Sequence, residues 1–351
     1  MIIEGEALRE FADRVLQAIG TPADIAAEVA THLVRANLSG HDWHGVARLP
    51  DYAAQVERGA LDPAARPRIV RQTALVAVYD AQCGFGPFAA ATALDWCLER
   101  AREAGLAAAA IRRAGSVGRL AEYAERAAQA GALALLTEGV AGPDAGETML
   151  HGGRARFFGA NSWAFAAPGG ERSLAFEGST TTVAAFDVLL ARAKGERLAP
   201  DCLYDRFGRP TTDPDDLAAG GGLVPLGGAV AGHKGVGLSL ASALFGGLAG
   251  ADGANGAGGA DGDHIGGVFL EVLDPAAFGP ADAYRERVDG ALAAAKAVRP
   301  VAGHAEVILP GEAEARARQE RARTGLRLPA TTRSDLAALA QRLGLTLPGG
   351  S

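Results

Sequence analysis

The chain has 351 residues, 48% of them hydrophobic and 21% charged, an ordinary balance for a globular protein and enough for one large domain or two with a sizeable core. A formal net charge of −7, with no clustered basic stripe, argues against a nucleic-acid partner, although a local Arg or Lys can still hold a small anion. The three cysteines follow no metal-site spacing. The opening MIIEGEALREFADRVLQAIG lacks a basic-then-apolar leader, and no apolar run nears the roughly 20 residues needed to cross a bilayer. The expectation is a cytoplasmic protein, off the membrane, with free and mostly buried thiols.

In chain order, Leu8, Phe11, Val15, Leu16 and Ile19 recur at helical spacing, and residues 6–38 read as two helices broken at GTPAD. Residues 39–50 open a third helix that runs through DYAAQVERGAL to Gly59. IVRQTALVAVYD, residues 69–80, alternates and is β-branched, which predicts strands. FGPFAAATALDWCLERAREAGL predicts a long helix ending at Gly105, LAAAAIRR a buried strand, SVGRLAEYAERAAQAG a helix and ALALLTEG a strand. This alternation points to an α/β fold. ARFFGANSWAFAAPGG and RSLAFEGSTTT predict strands with turns, and LYDRFGRPTTDPDDL a turn-dense loop. GHKGVGLSLASALFGGLAG predicts a loop entering a helix, and GANGAGGADGDH, residues 253–264, a flexible low-complexity loop. GGVFLEVLDP predicts a strand, YRERVDGALAAAKAVRP a helix, HAEVILPG a strand ending at Pro310-Gly311, and Glu312 to Leu345 two more helices.

The stretch HDWHGVARLP carries the first candidate site. On a helix, His44 and Arg48 stand at i and i+4 and share a face, so an imidazole and a guanidinium can converge on one ligand. A guanidinium suits a carboxylate through its bidentate fork. The alternative is a plain helix start with Asp42 as cap and a surface arginine. Trp43 either offers an indole face to a flat or cationic substrate or packs into the core. Lys234, set among glycines in GHKGVG, is either a cation for phosphate, ribose or amide, or an ordinary exposed lysine. Asn161 in GANSWAF either orients a ligand or caps a turn. His151, His233, His264 and His304 lack paired ligand spacing, so no metal is expected. No G-x-G-x-x-G follows a strand and opens a helix. GAGGADG, residues 256–262, is imperfect and lies in the low-complexity stretch, so a dinucleotide would have to be held some other way.

Six phrases in order resemble one family across nearly the whole chain: HDWHGVARLPDYAAQVERGALDP, VGRLAEYAERAAQAG, FFGANSWAFAAP, GRPTTDP, PLGG with GHKGVGLSL, and VILPGEAEARARQERARTGLRLP. The chain resembles the malate/L-lactate/L-sulfolactate dehydrogenase family, whose relatives include ureidoglycolate dehydrogenase and piperideine-2-carboxylate reductase. The resemblance implies a mixed-sheet α/β fold that is not a Rossmann fold, NAD or NADP as cofactor, and a homodimer with active sites near the subunit interface. It implies a helical, dimerisation and substrate-side part at 1–75 with 300–351, and a cofactor-binding α/β domain at 76–299. His44, Arg48, Ser116 and Glu177 fall on its catalytic positions, with Arg48 toward the substrate carboxylate. His44, Gly118, Arg119, Leu120, Asn161, Glu177, Gly178, Ser179, Thr180, Lys234, Pro310, Gly311 and Glu312 fall on its cofactor side.

The chain departs from that pattern at three positions. Trp43 stands where the family commonly has Ser, and Glu177 where it has Asp. Ser116 stands where the family has its proton-transferring His, while Gly118, Arg119, Leu120 and Tyr123 keep the surrounding pattern. A positioned general acid contributes roughly 10²–10⁴-fold, and a serine hydroxyl is a poor acid. Three outcomes stay open. His44 takes over proton transfer, oriented by Glu177 or Asp42; the substrate is a protonated imine that brings its own proton; or the protein binds cofactor without redox activity. The expectation is an NAD(P)H-dependent oxidoreductase, specialised and biosynthetic, acting on a 2-oxo or 2-hydroxy acid or a cyclic 2-imino acid.

Overall fold

The computed structural model describes residues 2–250 and 264–349. α1 (Gly5–Ala18) turns Leu8, Phe11, Ala12, Val15 and Leu16 inward against α2 (Ala23–Leu38). The third helix does not begin at residue 39. Asp42–His44 and Val46–Arg48 form two short 3-10 turns separated by Gly45 in an extended conformation, and α3 runs only over Leu49–Glu57. β1 (Arg68–Gln72) and β2 (Val76–Asp80) form a hairpin, so the expected division at residue 75 falls inside a paired unit. α4 (Gly86–Ala104) ends on left-handed Gly105, and β3 (Leu106–Arg112) follows. α5 starts at Leu120, four residues later than the pattern from Ser116 implied, and ends at Gln129, before β4 (Leu133–Ala141).

β5 (Thr148–Met149), β6 (Arg156–Phe158), β7 (Ser162–Ala167) and β8 (Leu174–Gly178) come next. α6 (Ala185–Lys194) occupies AFDVLLARAK, where no element is expected from the sequence. The turn-dense region holds β9 (Leu203–Tyr204), β10 (Pro210–Thr211), α7 (Asp215–Ala218) and β11 (Gly222–Leu223). α8 spans Gly228–Gly246 with a kink at Ala231, so GHKGVG is helical and not a loop. The expected low-complexity loop lies outside the described residues, apart from His264. β12 (Ile265–Leu273), α9 (Ala281–Lys296), α10 (Glu312–Thr324) and α11 (Ala330–Arg342) complete the chain. HAEVILPG is not a strand: residues 304–311 pair with none of the described strands, and the Val307 carbonyl instead accepts from Lys296 Nζ at 2.6 Å.

One sheet runs β1–β2–β3–β12–β4–β7–β8, with β2–β3 parallel and the other pairings antiparallel. The end of β4 passes through β6 to the small strands β5, β11, β9 and β10. This is the expected mixed-sheet α/β fold. Strand alternation sorts the two faces. Leu136 and Val268, Leu270 and Val272 point into a core shared with α4 and α5, whereas Phe269 points to the opposite side with Ala110 and Ala249, where α8 lies. A second core joins α1, α2 and α3 to α11, Leu326 and Leu328, and Ile3 pairs with Leu326. Cys97 is buried, but Cys83 is exposed and Cys202 half-buried, so the expectation of mostly buried thiols holds for one of three.

α8 sits very close to the sheet. A Cβ at Gly246 would stand 2.3 Å from the carbonyl oxygen of Gly267 in β12. Gly246→Ala should therefore push helix from sheet and cost about 1–3 kcal/mol, read as a lower urea midpoint at unchanged slope.

Candidate active site

The first N–H groups of a helix have no partner within it. In α5 that need is met from another strand: Glu177, near the end of β8, accepts from the backbone N–H of Leu120 at 3.0 Å and of Ala121 at 3.1 Å. Burial pushes the Glu177 carboxyl above its usual range, opposed by Arg119, His41 and those two N–H groups. Arg119, 2% exposed, bonds Glu125 at 2.8 and 3.2 Å and brings its Nε to 3.7 Å from Glu177. Expected on the cofactor side, Arg119 is thus committed to a buried ion cluster. Arg318 of α10 reaches the same Glu125 and the Ser39 hydroxyl, and Arg35 pairs with the buried Glu122 at 2.7 Å.

The segment ahead of α5 is clamped to α2. His32 Nε2 accepts from the Arg119 N–H at 3.0 Å, and the ring stacks on Tyr123 at 5.3 Å. Tyr123 donates its hydroxyl to the Val117 carbonyl at 2.6 Å. Gly118 has φ of +74°, and a Cβ there would lie 2.2 Å from His32 Nε2, so only glycine lets the chain pass. Burial lowers the His32 pKa to about 3, and the ring is neutral.

The segment with His44 is held from both sides. Asp42 bonds Arg321 of α10 at 2.7 Å and Asn37 Nδ2 at 2.8 Å, while Asn37 Oδ1 accepts from Val46 N–H at 2.9 Å. Asp42 therefore neither caps α3 nor orients His44. His44 and Arg48 do not share a helix face; they stand on two successive 3-10 turns, near enough for the Arg48 charge to act on the His44 ring. Arg48 pairs with Asp51 at 2.9 Å and lies over the Tyr52 ring. Burial, then His41, Arg48 and Arg119, lower the His44 pKa to about 4, so its imidazole is neutral at pH 7. Among the described residues its ring nitrogens have no hydrogen-bond partner. Trp43 is not core: it is 42% exposed and stacks on Phe186 of α6 at 5.1 Å. The Ser116 hydroxyl, half-buried, accepts a long hydrogen bond from Gly118 N–H at 3.4 Å.

Sequence reasoning missed one acidic group here. Glu138 is the only ionisable residue of β4, LALLTEGVA, and alternation puts it on the Leu136 face, toward α5. Its backbone pairs with Ser162 of β7, and Ala164 of β7 pairs with Glu177, so the two carboxylates flank β7 on the α5 side. The Val117 N–H and Arg48 favour the charged form of the Glu138 carboxyl, and Glu177 opposes it. Burial, reinforced by Glu177, raises its pKa to about 7. A lone Glu inside an apolar strand was the available signal.

The remaining cofactor-side residues divide. The Ser179 hydroxyl bonds that of Thr181 at 2.7 Å, and both line a cleft of about 310 Å³ with Gly159, Ala160 and Gly146, at the strand end marked by Gly178. Thr180 bonds Ser239 at 2.7 Å inside the protein. Asn161, 2% exposed and left-handed at φ +46°, accepts from Val140 N–H and donates to the Ser239 carbonyl, so its amide is spent on the turn. Lys234 is exposed on α8 and makes no ion pair among the described residues. Pro310 and Gly311 lead into α10 against β8, but Glu312 is held by Lys296 at 2.5 Å and by the Leu309 N–H, so its carboxylate is not free. Among the described residues no group of three or more His, Cys, Asp or Glu is placed to hold a metal ion. No described helix is long and apolar enough to cross a membrane.

Residues 3–337 match the malate/L-lactate dehydrogenase family. The chain belongs to that family. It is similar to an L-lactate dehydrogenase of Cupriavidus necator, 30% identical over 97% of each chain. It is also similar to a Delta(1)-pyrroline-2-carboxylate reductase of Ancylobacter novellus, 32% identical over 93% of this chain and 94% of that one. The solved sulfolactate dehydrogenase of Methanocaldococcus jannaschii superposes with a TM-score of 0.87 at 26% identity, covering 99% and 98% of the two chains. The family is one of oxidoreductases, both dehydrogenases and reductases.

The two neutral histidines set an acid limit on the fold. A histidine whose folded pKa lies below its unfolded value near 6.5 binds fewer protons folded than unfolded. Stability is then undiminished above pH 6.5 and is lost as pH falls toward the folded values of about 3 and about 4. His32→Gln keeps an acceptor for the Arg119 N–H but cannot protonate. Its loss of stability per pH unit below 6.5 should be smaller than that of the wild type by about 1 kcal/mol, measured by urea unfolding from pH 7 to 5.

Proposed function

We propose that this protein is an NAD(P)H-dependent oxidoreductase acting on a 2-oxo or 2-hydroxy acid or a cyclic 2-imino acid. The observation that carries the reading is the neutral His44 ring, without a hydrogen-bond partner among the described residues, within electrostatic range of the Arg48 guanidinium and of Arg119 at the start of α5. A bidentate guanidinium binds the substrate carboxylate. The two sequence relatives support that substrate class, since one name contains a hydroxy acid and the other a cyclic imino acid, and both are carboxylates.

The donor set fits a nicotinamide dinucleotide. Among the described residues His44 has unused ring nitrogens for the nicotinamide side and Lys234 is an unpaired cation for phosphate or ribose, while the cleft beside Ser179 and Gly159 offers hydroxyl and close backbone. When bound, a reduced nicotinamide supplies hydride. His44, with its pKa near 4, serves as a neutral hydrogen-bonding group and not as an imidazolium acid at pH 7. Glu177 stays fixed on the helix N–H groups and holds the start of α5 in place. Trp43 and Phe186 form an aromatic wall on the α6 side. The Ser116 hydroxyl can donate a hydrogen bond to substrate but is too weak an acid to replace a histidine.

We also propose a homodimer. Leu240, Leu244 and Leu248, spaced i, i+4, i+8 along α8 and the turn after it, are 39%, 55% and 61% exposed, an apolar stripe that a second subunit would cover. Light scattering should give twice the chain mass, and Leu244→Lys should shift it toward the monomer; a wild-type monomer at micromolar concentration would remove this part of the reading.

The functional reading is checked by titrating NADH and NADPH while following nicotinamide fluorescence. One of them should bind, and Lys234→Ala should weaken it several-fold. With a panel of keto acids and cyclic imino acids, Arg48→Ala should raise KM at least tenfold, since it removes a charge-assisted pair. Binding without turnover would instead support a diverged cofactor-binding protein. Failure of both cofactors to bind at millimolar concentration would overturn the reading altogether.

A further inference from the structure

We propose that Glu138 is the proton donor to the substrate heteroatom. The proposal rests on the reductase reading above and adds a residue to that same site. Its basis is placement. Glu138 projects from β4 on the face that carries α5, across β7 from Glu177, and the Val117 N–H, directly after Ser116, acts on its carboxyl. The titratable and charged groups that act on it are Glu177 from β8, Arg48 from the N-terminal turns, and the Tyr52 and Tyr123 hydroxyls from α3 and α5. Arg48 is the proposed carboxylate clamp, so Glu138 stands within electrostatic reach of the group that would fix the substrate.

Neither neighbour competes for the role. His44 is neutral at pH 7 and has no proton of suitable acidity to give, and Glu177 is tied to two backbone N–H groups. Burial next to Glu177 raises the Glu138 pKa to about 7, which keeps a fraction protonated at neutral pH and suits a general acid. The step balances. The carbonyl carbon gains hydride from the reduced nicotinamide, and the carbonyl π electrons move to oxygen. That oxygen takes the proton from the Glu138 carboxyl, which becomes a carboxylate and is refilled from water. For a cyclic imine the proton goes to nitrogen, and an iminium that arrives already protonated does not need it.

The sign follows from the carboxyl form being the active one. Reductive turnover is highest below pH 7 and falls as Glu138 ionises above it; oxidation of the hydroxy acid shows the reverse. In Glu138→Gln, reductive turnover of a 2-oxo acid, or of a cyclic imine above the pKa of its iminium, should drop by roughly 10²–10⁴-fold. The ionisation near pH 7 should vanish from the kcat profile, and NADH or NADPH affinity should stay within about twofold. Independently of turnover, infrared difference spectra of the wild type between pH 6 and 8 should show a protonated-carboxyl band that titrates near 7. That band should be missing in Glu138→Gln and shifted in Glu138→Asp, which retains an acid if the Gln variant fails to fold. A wild type that reduces its substrate, with rate and pH profile unchanged in Glu138→Gln, overturns this proposal alone. So does a wild-type spectrum with no titrating carboxyl. A wild type that turns over no 2-oxo or cyclic imino acid overturns the proposal together with the reaction it serves.

Discussion

The capping of α5 by Glu177 is the constraint on which the site depends. A helix start leaves N–H groups that must be paired, and here the partner comes from β8 rather than from a local Ser, Thr or Asp. The carboxylate arrives with a buried counter-ion, Arg119, whose other nitrogens are consumed by Glu125, itself held by Arg318 from α10. One charge cluster thus fastens β8, α5 and α10. Removing one member of such a cluster leaves an uncompensated buried charge and costs about 3–5 kcal/mol. Burial works against the Arg119 charge, and Glu125, Glu177 and Glu122 more than offset it.

The same cluster sets the electrostatics of the candidate site. Positive Arg48 and Arg119 help keep His44 neutral, while Glu177 pushes the Glu138 proton on. The result is a histidine with a pKa of about 4 and a carboxyl of about 7, the reverse of their ordinary order. Environments that drive titratable groups apart in this way separate binding from proton transfer. An imidazole that has lost its acidity still hydrogen-bonds, and a glutamate that keeps its proton can pass it on. No short motif announces Glu138, a lone acid in an apolar strand.

Two histidines illustrate what a motif can and cannot indicate. His44 stands in a conspicuous phrase and is half-buried on the 3-10 turn before that of Arg48, not on a shared helix face. His32 sat unremarked in the regular amphipathic pattern of α2, yet it fixes Gly118 and the Arg119 N–H, and with them the approach to α5. Lys296 is comparable. It reads as an ordinary residue at the end of α9, but it binds Glu306, Glu312 and the Val307 carbonyl, and thereby organises a segment expected to be a strand.

What the sequence determined by itself was whatever local spacing controls. The paired N-terminal helices, the α4–β3–α5–β4 alternation and the closing helices follow from 3.6- and 2-residue periodicity and from glycines at helix ends, and the ordered phrases identified the family. What only the tertiary structure decided was how polar groups distant in sequence are spent. Asn161, Arg119 and Glu312 look available in the linear chain, but Ser239, Glu125 and Lys296 consume them. Residues 304–311 carry a strand-like pattern, yet no described strand lies beside them, and a β-strand needs a partner to satisfy its backbone. Glu138 gained its proton affinity from burial and from Glu177, 39 positions away in sequence and one strand away in space. Desolvation and through-space charge are properties of the packed molecule, and no periodicity in the chain encodes them.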